Sequence, residues 1–176
     1  LFRLASQIPP ADPAKAAVAA RNRERALAVW RGAVPVTGTP AATYLERRRI
    51  GVLAQSHALR YRPDTPHPES SRRSAMIALV TRADGEPIGI HRTYISQDGR
   101  KADVEPVKAS LGPIWGGAIR LMDLDPGKPL VLAEGIETAA SASLLLGWPA
   151  WAAISAGNLA EGLALPAEAR RVAIAR

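Results

Sequence analysis

No cysteine occurs anywhere in the 176 residues. That absence excludes a disulfide scaffold, a thiolate zinc site and a thiol nucleophile, and it fits a reducing compartment such as the cytoplasm. Aromatic residues are also scarce, at 5% with a single Phe, so a core has to be built from Leu, Val, Ile and Ala packing. No apolar run reaches the roughly 18 residues that a membrane-spanning helix requires, and no membrane partner is expected. The first 30 residues are Arg- and Ala-rich, as in a transit peptide, but Asp12 and Glu24 interrupt the pattern. With no initiator Met, residue 1 reads as an internal start, and the chain is expected to be a fragment.

What is present in excess is arginine, and it is unevenly placed. Residues 21–73 hold 11 Arg against 4 acidic side chains, whereas the rest of the chain has 12 basic and 12 acidic residues. The whole net charge of +7 therefore lies in the first half. A guanidinium fork matches phosphate oxygens in bidentate fashion, so a local Arg surplus suits nucleic acid; a solvated basic face is the plainer reading.

The N-terminal pattern is helical. Asp12 and Pro13 open a helix that Gly32 closes, with Val18, Leu27 and Trp30 expected on one face beside the alanines. Thr39 and Pro40 open a second, with Tyr44 and Leu45 facing inward and Gly51 ending the turn. Arg47, Arg48 and Arg49 follow at its C-terminal end, where the helix dipole alone favours cations. Residues 61–74, with three prolines, read as a boundary or mobile loop. His57 and His67 beside it lack the Cys or acidic partners of a metal site.

Residues 75–81 and 88–95 then read as a strand–turn–strand pair, bent at Asp84-Gly85 and again at Asp98-Gly99. In the second strand Ile88, Ile90, Arg92 and Tyr94 alternate onto one face. An Arg on such a face is either snorkelling or functional. Gly116 and Gly117 permit close backbone approach, though no phosphate-loop motif surrounds them. Asp123 and Asp125 precede Pro126-Gly127 and read as turn residues.

From residue 129 the texture alternates: PLVLA, ETAASASLLLG, AWAAIS, AGN, LAEGLAL, RRVAIA. Apolar strands without polar alternation, separated by helices, predict a buried parallel sheet in a β-α-β-α-β unit. Ligands of such sheets sit beyond the carboxyl ends of the strands. Glu134 falls at that place, and Gly135 beside it leaves room for a ligand. Acids also favour the first turn of a helix, which accounts for Glu134 and Glu137 without any chemistry.

The segment PLVLAEGIETAASASLLLGWPAWAAISAGNLA resembles the first half of a TOPRIM domain, the metal-binding fold of bacterial-type primases, type IA topoisomerases and some nucleases. AATYLERRRIGV is similar to a helix of primases, and IGIHRTYI with VKASLGPIWGGAIRL resembles their basic strand and Lys-containing segment. The fold class implied is an α+β primase-like region followed by an α/β TOPRIM unit with a parallel sheet, incomplete at the C-terminus. Three regions are expected: an Arg-rich helical region over 1–68, a β-rich subdomain over 69–128, and half a TOPRIM domain over 129–176.

The resemblance implies a DNA primase-like nucleotidyltransferase of bacterial, phage or mobile-element type, making RNA primers on single-stranded DNA from nucleoside triphosphates. A replicative helicase is an implied partner. Glu134 would be the metal ligand and catalytic group for Mg²⁺ (or Mn²⁺), and no zinc is expected. Arg92 and Lys108, with Arg47, Arg48 and Arg49, would contact phosphates; Gly135, Gly116 and Gly117 would supply backbone support. Thr138 stands where many primases have Asp, and the family's Asp-x-Asp follows a third strand, where this sequence reads RRVAIAR. The chain by itself is therefore expected to be a poor catalyst. TOPRIM nuclease or topoisomerase chemistry, and non-catalytic nucleic-acid binding, are the alternatives. A topoisomerase would need a nucleophile among Tyr44, Tyr61 and Tyr94.

Overall fold

The computed structural model describes residues 12–176; the start of the expected Arg-rich region, residues 1–11, lies outside them. The chain forms α1 (Pro13–Arg31), β1 (Val34–Pro35), α2 (Pro40–Arg47), β2 (Leu59–Pro66), β3 (Arg72–Thr81), β4 (Pro87–Tyr94), β5 (Lys108–Leu111), β6 (Ile119–Arg120), β7 (Leu130–Ala133), α3 (Ile136–Leu146), β8 (Ala150–Ala152) and β9 (Val172–Ala175). Both expected N-caps form: the side chain of Asp12 accepts from the Ala14 N–H, and that of Thr39 from Ala41. None of the described helices is long and apolar enough to cross a membrane.

Two sheets result. The first is antiparallel in the order β1-β2-β3-β4-β5, and the second runs β6-β8-β7-β9. In the second, β7 pairs in parallel with both β8 and β9, while β6 pairs antiparallel with β8. A bridge between Thr81 and Ala118 links the two sheets. The main core takes Met76, Ala78 and Val80 from β3, Tyr44 and Leu45 from α2, Val131 and Ala133 from β7, and Ile136, Ala139 and Ala140 from α3. The other face of the first sheet is covered by α1 through Ala26 and Val29.

Several expectations need correcting. Residues 61–74 are not a loop, since β2 and β3 pair from Leu59↔Ala78 to Pro66↔Arg72, leaving only 67–71 as the turn. A register shift between Arg62 and Thr65 accommodates Pro63, which cannot donate to a regular ladder. The expected boundary at 68/69 thus falls inside a hairpin, and the one at 128/129 falls between two strands of the second sheet. Val18 is exposed because α1 buries only its C-terminal half. Arg49, not Gly51, takes the left-handed conformation after α2, with φ of 59°.

The alternation in β4 is broken by an irregularity where Val80 pairs with Gly89 but Thr81 pairs with Pro87. Ile88 therefore joins the main core, whereas Ile90 and Tyr94 face α1. The expected helix LAEGLAL shrinks to one π turn over Asn158–Gly162. Asp125 is a turn residue as expected, its side chain accepting from the Gly127 N–H at 2.9 Å. His67 is likewise structural: it is buried, contacts the Pro106 carbonyl at 3.1 Å and packs edge-on against Tyr94.

Candidate functional site

The parallel pairing Ala133↔Ala152 and Ala133↔Ala175 brings the carboxyl ends of β7, β8 and β9 to one edge. Glu134 is the residue immediately beyond β7, and its side chain is exposed. Among the described residues its carboxylate has no hydrogen bond or ion pair; only its backbone carbonyl is engaged, accepting from the Ile154 N–H at 2.8 Å. Ile154 takes φ of 76°, an uncommon conformation for a β-branched residue, and such strain concentrates at functional sites.

Glu137 behaves differently. It occupies the first turn of α3, and its carboxylate accepts from the Tyr44 hydroxyl at 2.6 Å and from the Lys108 ammonium at 3.0 and 3.1 Å. Tyr44 lies on α2 and Lys108 on β5, so this carboxylate ties α3 to α2 and to the edge strand of the first sheet. Burial pushes Glu137 towards protonation, but the Tyr44 hydroxyl, with Lys108, outweighs it and holds the carboxyl at about 2. Burial first, and then Glu137, push the Tyr44 hydroxyl upward, so it stays a donor.

Lys108 also leaves part of its ammonium accessible and, with Glu134, Glu137, Thr138 and His91, lines a cleft of about 370 Å³. His91 shares a face with Lys108, since β4–β5 pairing sets His91 opposite Ser110 and Thr93 opposite Lys108. Its Nδ1 lies 3.1 Å from the Ser110 hydroxyl. Burial, with the Lys108 charge, lowers His91 to about 4, so it presents a neutral imidazole to the cleft near pH 7. A second hollow of about 530 Å³ opens on the other side of Glu134, between the π turn and Ile174.

The remaining expected residues separate into two groups. Arg92 is on the opposite face of β4 from Lys108 and is buried. Its guanidinium donates to the carbonyls of Pro66 (2.6 Å), Ser110 (3.0 Å) and Ala109 (3.3 Å). Its donors satisfy carbonyls of β2 and β5 rather than facing the cleft. Gly116 and Gly117 are structural too. Gly116 has φ of 80°, and a Cβ on Gly117 would stand 2.8 Å from Ile88 and 2.9 Å from Val80. Gly135 caps α3 with ordinary extended backbone, and a Cβ there would meet the Glu137 carboxylate at 3.5 Å.

The Arg triplet stays at the surface. Arg47 donates to the Asp98 carbonyl at 3.1 Å, and Arg48 lies 4.8 Å over the Tyr44 ring. With Arg100 and Lys101 of the neighbouring turn they line a hollow of about 380 Å³. Arg48, Tyr44, Glu137 and Lys108 thus form one contact chain from this basic surface into the cleft. Glu137, His91, Arg100 and Lys101 are the residues that sequence reasoning left out. The motif placed Glu137 at a helix start, but its partners come from distant strands.

Residues 20–121 match a family model described as a domain of unknown function, DUF7146. The chain belongs to that family. The match runs from α1 through the residue after β6, so the family's segment includes Lys108, His91, Tyr44 and the Arg triplet. Glu134 and Glu137 lie beyond it. No curated protein matches the sequence.

Proposed function

We propose that this DUF7146 chain handles nucleotide and template in a primase-like nucleotidyltransferase of the TOPRIM type. The reading rests on a free carboxylate, Glu134, at the tip of a parallel strand in the same cleft as the Lys108 ammonium. Ligands of parallel sheets sit at that edge, and a cation beside a carboxylate suits a phosphate carrying a divalent ion.

The donor set fits Mg²⁺ in one specific sense. Mg²⁺ is commonly held by one or two carboxylates, with phosphate oxygens and water completing the octahedron. Glu134 supplies one such oxygen donor, while Glu137 is committed to Tyr44 and Lys108. Among the described residues no group of three or more His, Asp or Glu side chains converges. In this reading Glu134 would meet an ion that arrives on a nucleoside triphosphate, where it would offset phosphate charge. An Asp-x-Asp following the third strand, as the resemblance implies, would emerge beside Glu134, given the Ala133↔Ala175 register.

In this reading Lys108 orients a phosphate, Glu137 fixes Lys108, and the Arg47, Arg48, Arg100 and Lys101 surface holds template phosphates. Strand cleavage by tyrosine is disfavoured because Tyr44, Tyr61 and Tyr94 are all buried. Tyr44 is further occupied by Glu137, and Tyr94 by the Pro66 carbonyl at 2.6 Å.

The test is Glu134→Gln in the natural gene product. Primer synthesis on single-stranded DNA should fall by about 100-fold or more, a loss of about 2.7 kcal/mol or more of transition-state stabilisation, with DNA binding within about twofold. Unchanged synthesis removes Glu134 from the chemistry, and absent synthesis in the unaltered protein leaves binding as the function.

A further inference from the structure

Every described aromatic side chain but one is at least partly buried; the exception is Trp115, 61% exposed. Tyr44, Tyr61, Tyr94 and Trp151 are buried, Trp30 lies under Arg60, and Trp148 packs on the main core. An indole left in water forgoes a large burial gain, so the way Trp115 is held bears on its purpose.

It is held rigidly. Trp115 occupies a tight turn closed by the Gly117 N–H on the Ile114 carbonyl at 3.1 Å, with Gly116 in the left-handed region next to it. Asn158, wholly buried, fixes that turn from both sides: its Oδ1 accepts from the Gly116 N–H at 2.9 Å and its Nδ2 donates to the Gly117 carbonyl at 2.9 Å. The indole rests on the π turn, where a Cβ on Gly162 would stand 2.6 Å from the ring. The same π turn, through Leu159 and Ala160, walls the hollow beside Glu134. The platform is thus built next to the strand-tip edge.

We propose that Trp115 is a stacking platform for an unpaired base of single-stranded nucleic acid, a role that rests on the template reading above. A π face accepts any base, and stacking of this kind is largely independent of sequence. In that reading the surface of Arg47, Arg48, Arg100 and Lys101 would hold phosphates, and Trp115 offers a face for a base.

Binding is measured with two fluorescent probes of equal length and charge, a short oligodeoxythymidylate and its abasic counterpart. The unaltered chain should bind the thymidylate about tenfold more tightly than the abasic strand, a preference of the size one stacked base gives. Trp115→Leu keeps the apolar cover on the π turn; it should erase that preference while leaving the thermal midpoint and the salt dependence unchanged. Trp115→Phe should keep much of the preference. Equal affinity of the unaltered chain for both probes, or a preference that survives in Trp115→Leu, overturns the platform while the nucleic-acid reading stands. Failure to bind either probe overturns that reading itself. A fall in thermal midpoint with the preference intact assigns Trp115 to packing and also overturns the proposal.

Discussion

Replacing Glu137 by Ala should lower stability at neutral pH by about 2–4 kcal/mol, equivalent to a fall in thermal midpoint of about 5–15 °C for a domain of this size. The change strands two partners at once, a half-buried Lys108 ammonium and the Tyr44 hydroxyl. Holding a carboxyl at about 2 rather than at its ordinary value of roughly 4.5 corresponds to stabilisation on the order of 3 kcal/mol. The depressed value fixes the sign: this contribution is complete above about pH 4.5 and is lost as pH falls towards 2. Urea unfolding of the unaltered and Glu137→Ala chains should therefore show a gap at pH 7 that narrows at pH 3. Glu137→Gln should cost less, because an amide oxygen still accepts from Tyr44. An equal gap at both pH values would mean the carboxylate's charge is not what counts.

The same acid limb contains His91. Its lowered value means the unfolded chain takes up a proton between about pH 6.5 and 4 that the folded chain refuses. The unaltered chain should begin to lose stability below about pH 6.5, before Glu137 contributes.

The second large effect belongs to Asn158. Its buried amide serves the Gly116 N–H and the carbonyls of Gly117 and Ala153, all within 2.9 Å. Asn158→Ala leaves two buried carbonyls and the half-buried Gly116 N–H without partners, at a cost of about 2–4 kcal/mol. Because the Ala153 carbonyl adjoins the strained Ile154, which in turn holds the Glu134 backbone, the substitution should also loosen the strand-tip cleft. Hydrogen exchange should show the amides of Gly116, Gly117 and Ile154 opening selectively. Uniform loosening across the second sheet would assign Asn158 a purely global role.

Local signals predicted the starts of α1 and α2 and the parallel pairing of β7 with β8 and β9, but not the loss of the LAEGLAL helix or the exposure of Val172 and Ile174 on β9. Asp12-Pro13 and Thr39-Pro40 start α1 and α2 where caps require, and the unbroken apolar runs of β7, β8 and β9 became parallel pairs. Other failures depended on the partner strand. Prolines in residues 61–74 spoke for a loop, yet a local irregularity absorbs Pro63 and keeps β2 in the sheet. Ile88 changed sides for a similar reason.

The site was legible in part. Glu134 could be placed from the strand–helix switch alone, since that depends on neighbours in sequence. The roles of Glu137 and Arg92 could not. Glu137 meets Tyr44 across 93 positions and Lys108 across 29. Arg92 is spent on carbonyls that only the folded sheet brings near. Asn158 gave no signal beyond a turn, because its three partners come from two other segments.

The claim that Glu134 and Lys108 share a site for a triphosphate and its divalent ion is tested most directly by calorimetric titration with a nucleoside triphosphate, with and without Mg²⁺. The unaltered chain should bind more tightly with Mg²⁺ present. Glu134→Gln should abolish that Mg²⁺ dependence, and Lys108→Met should weaken binding about tenfold under both conditions, as loss of a charged contact does. Binding that is indifferent to Mg²⁺ and unchanged in both variants would contradict the account.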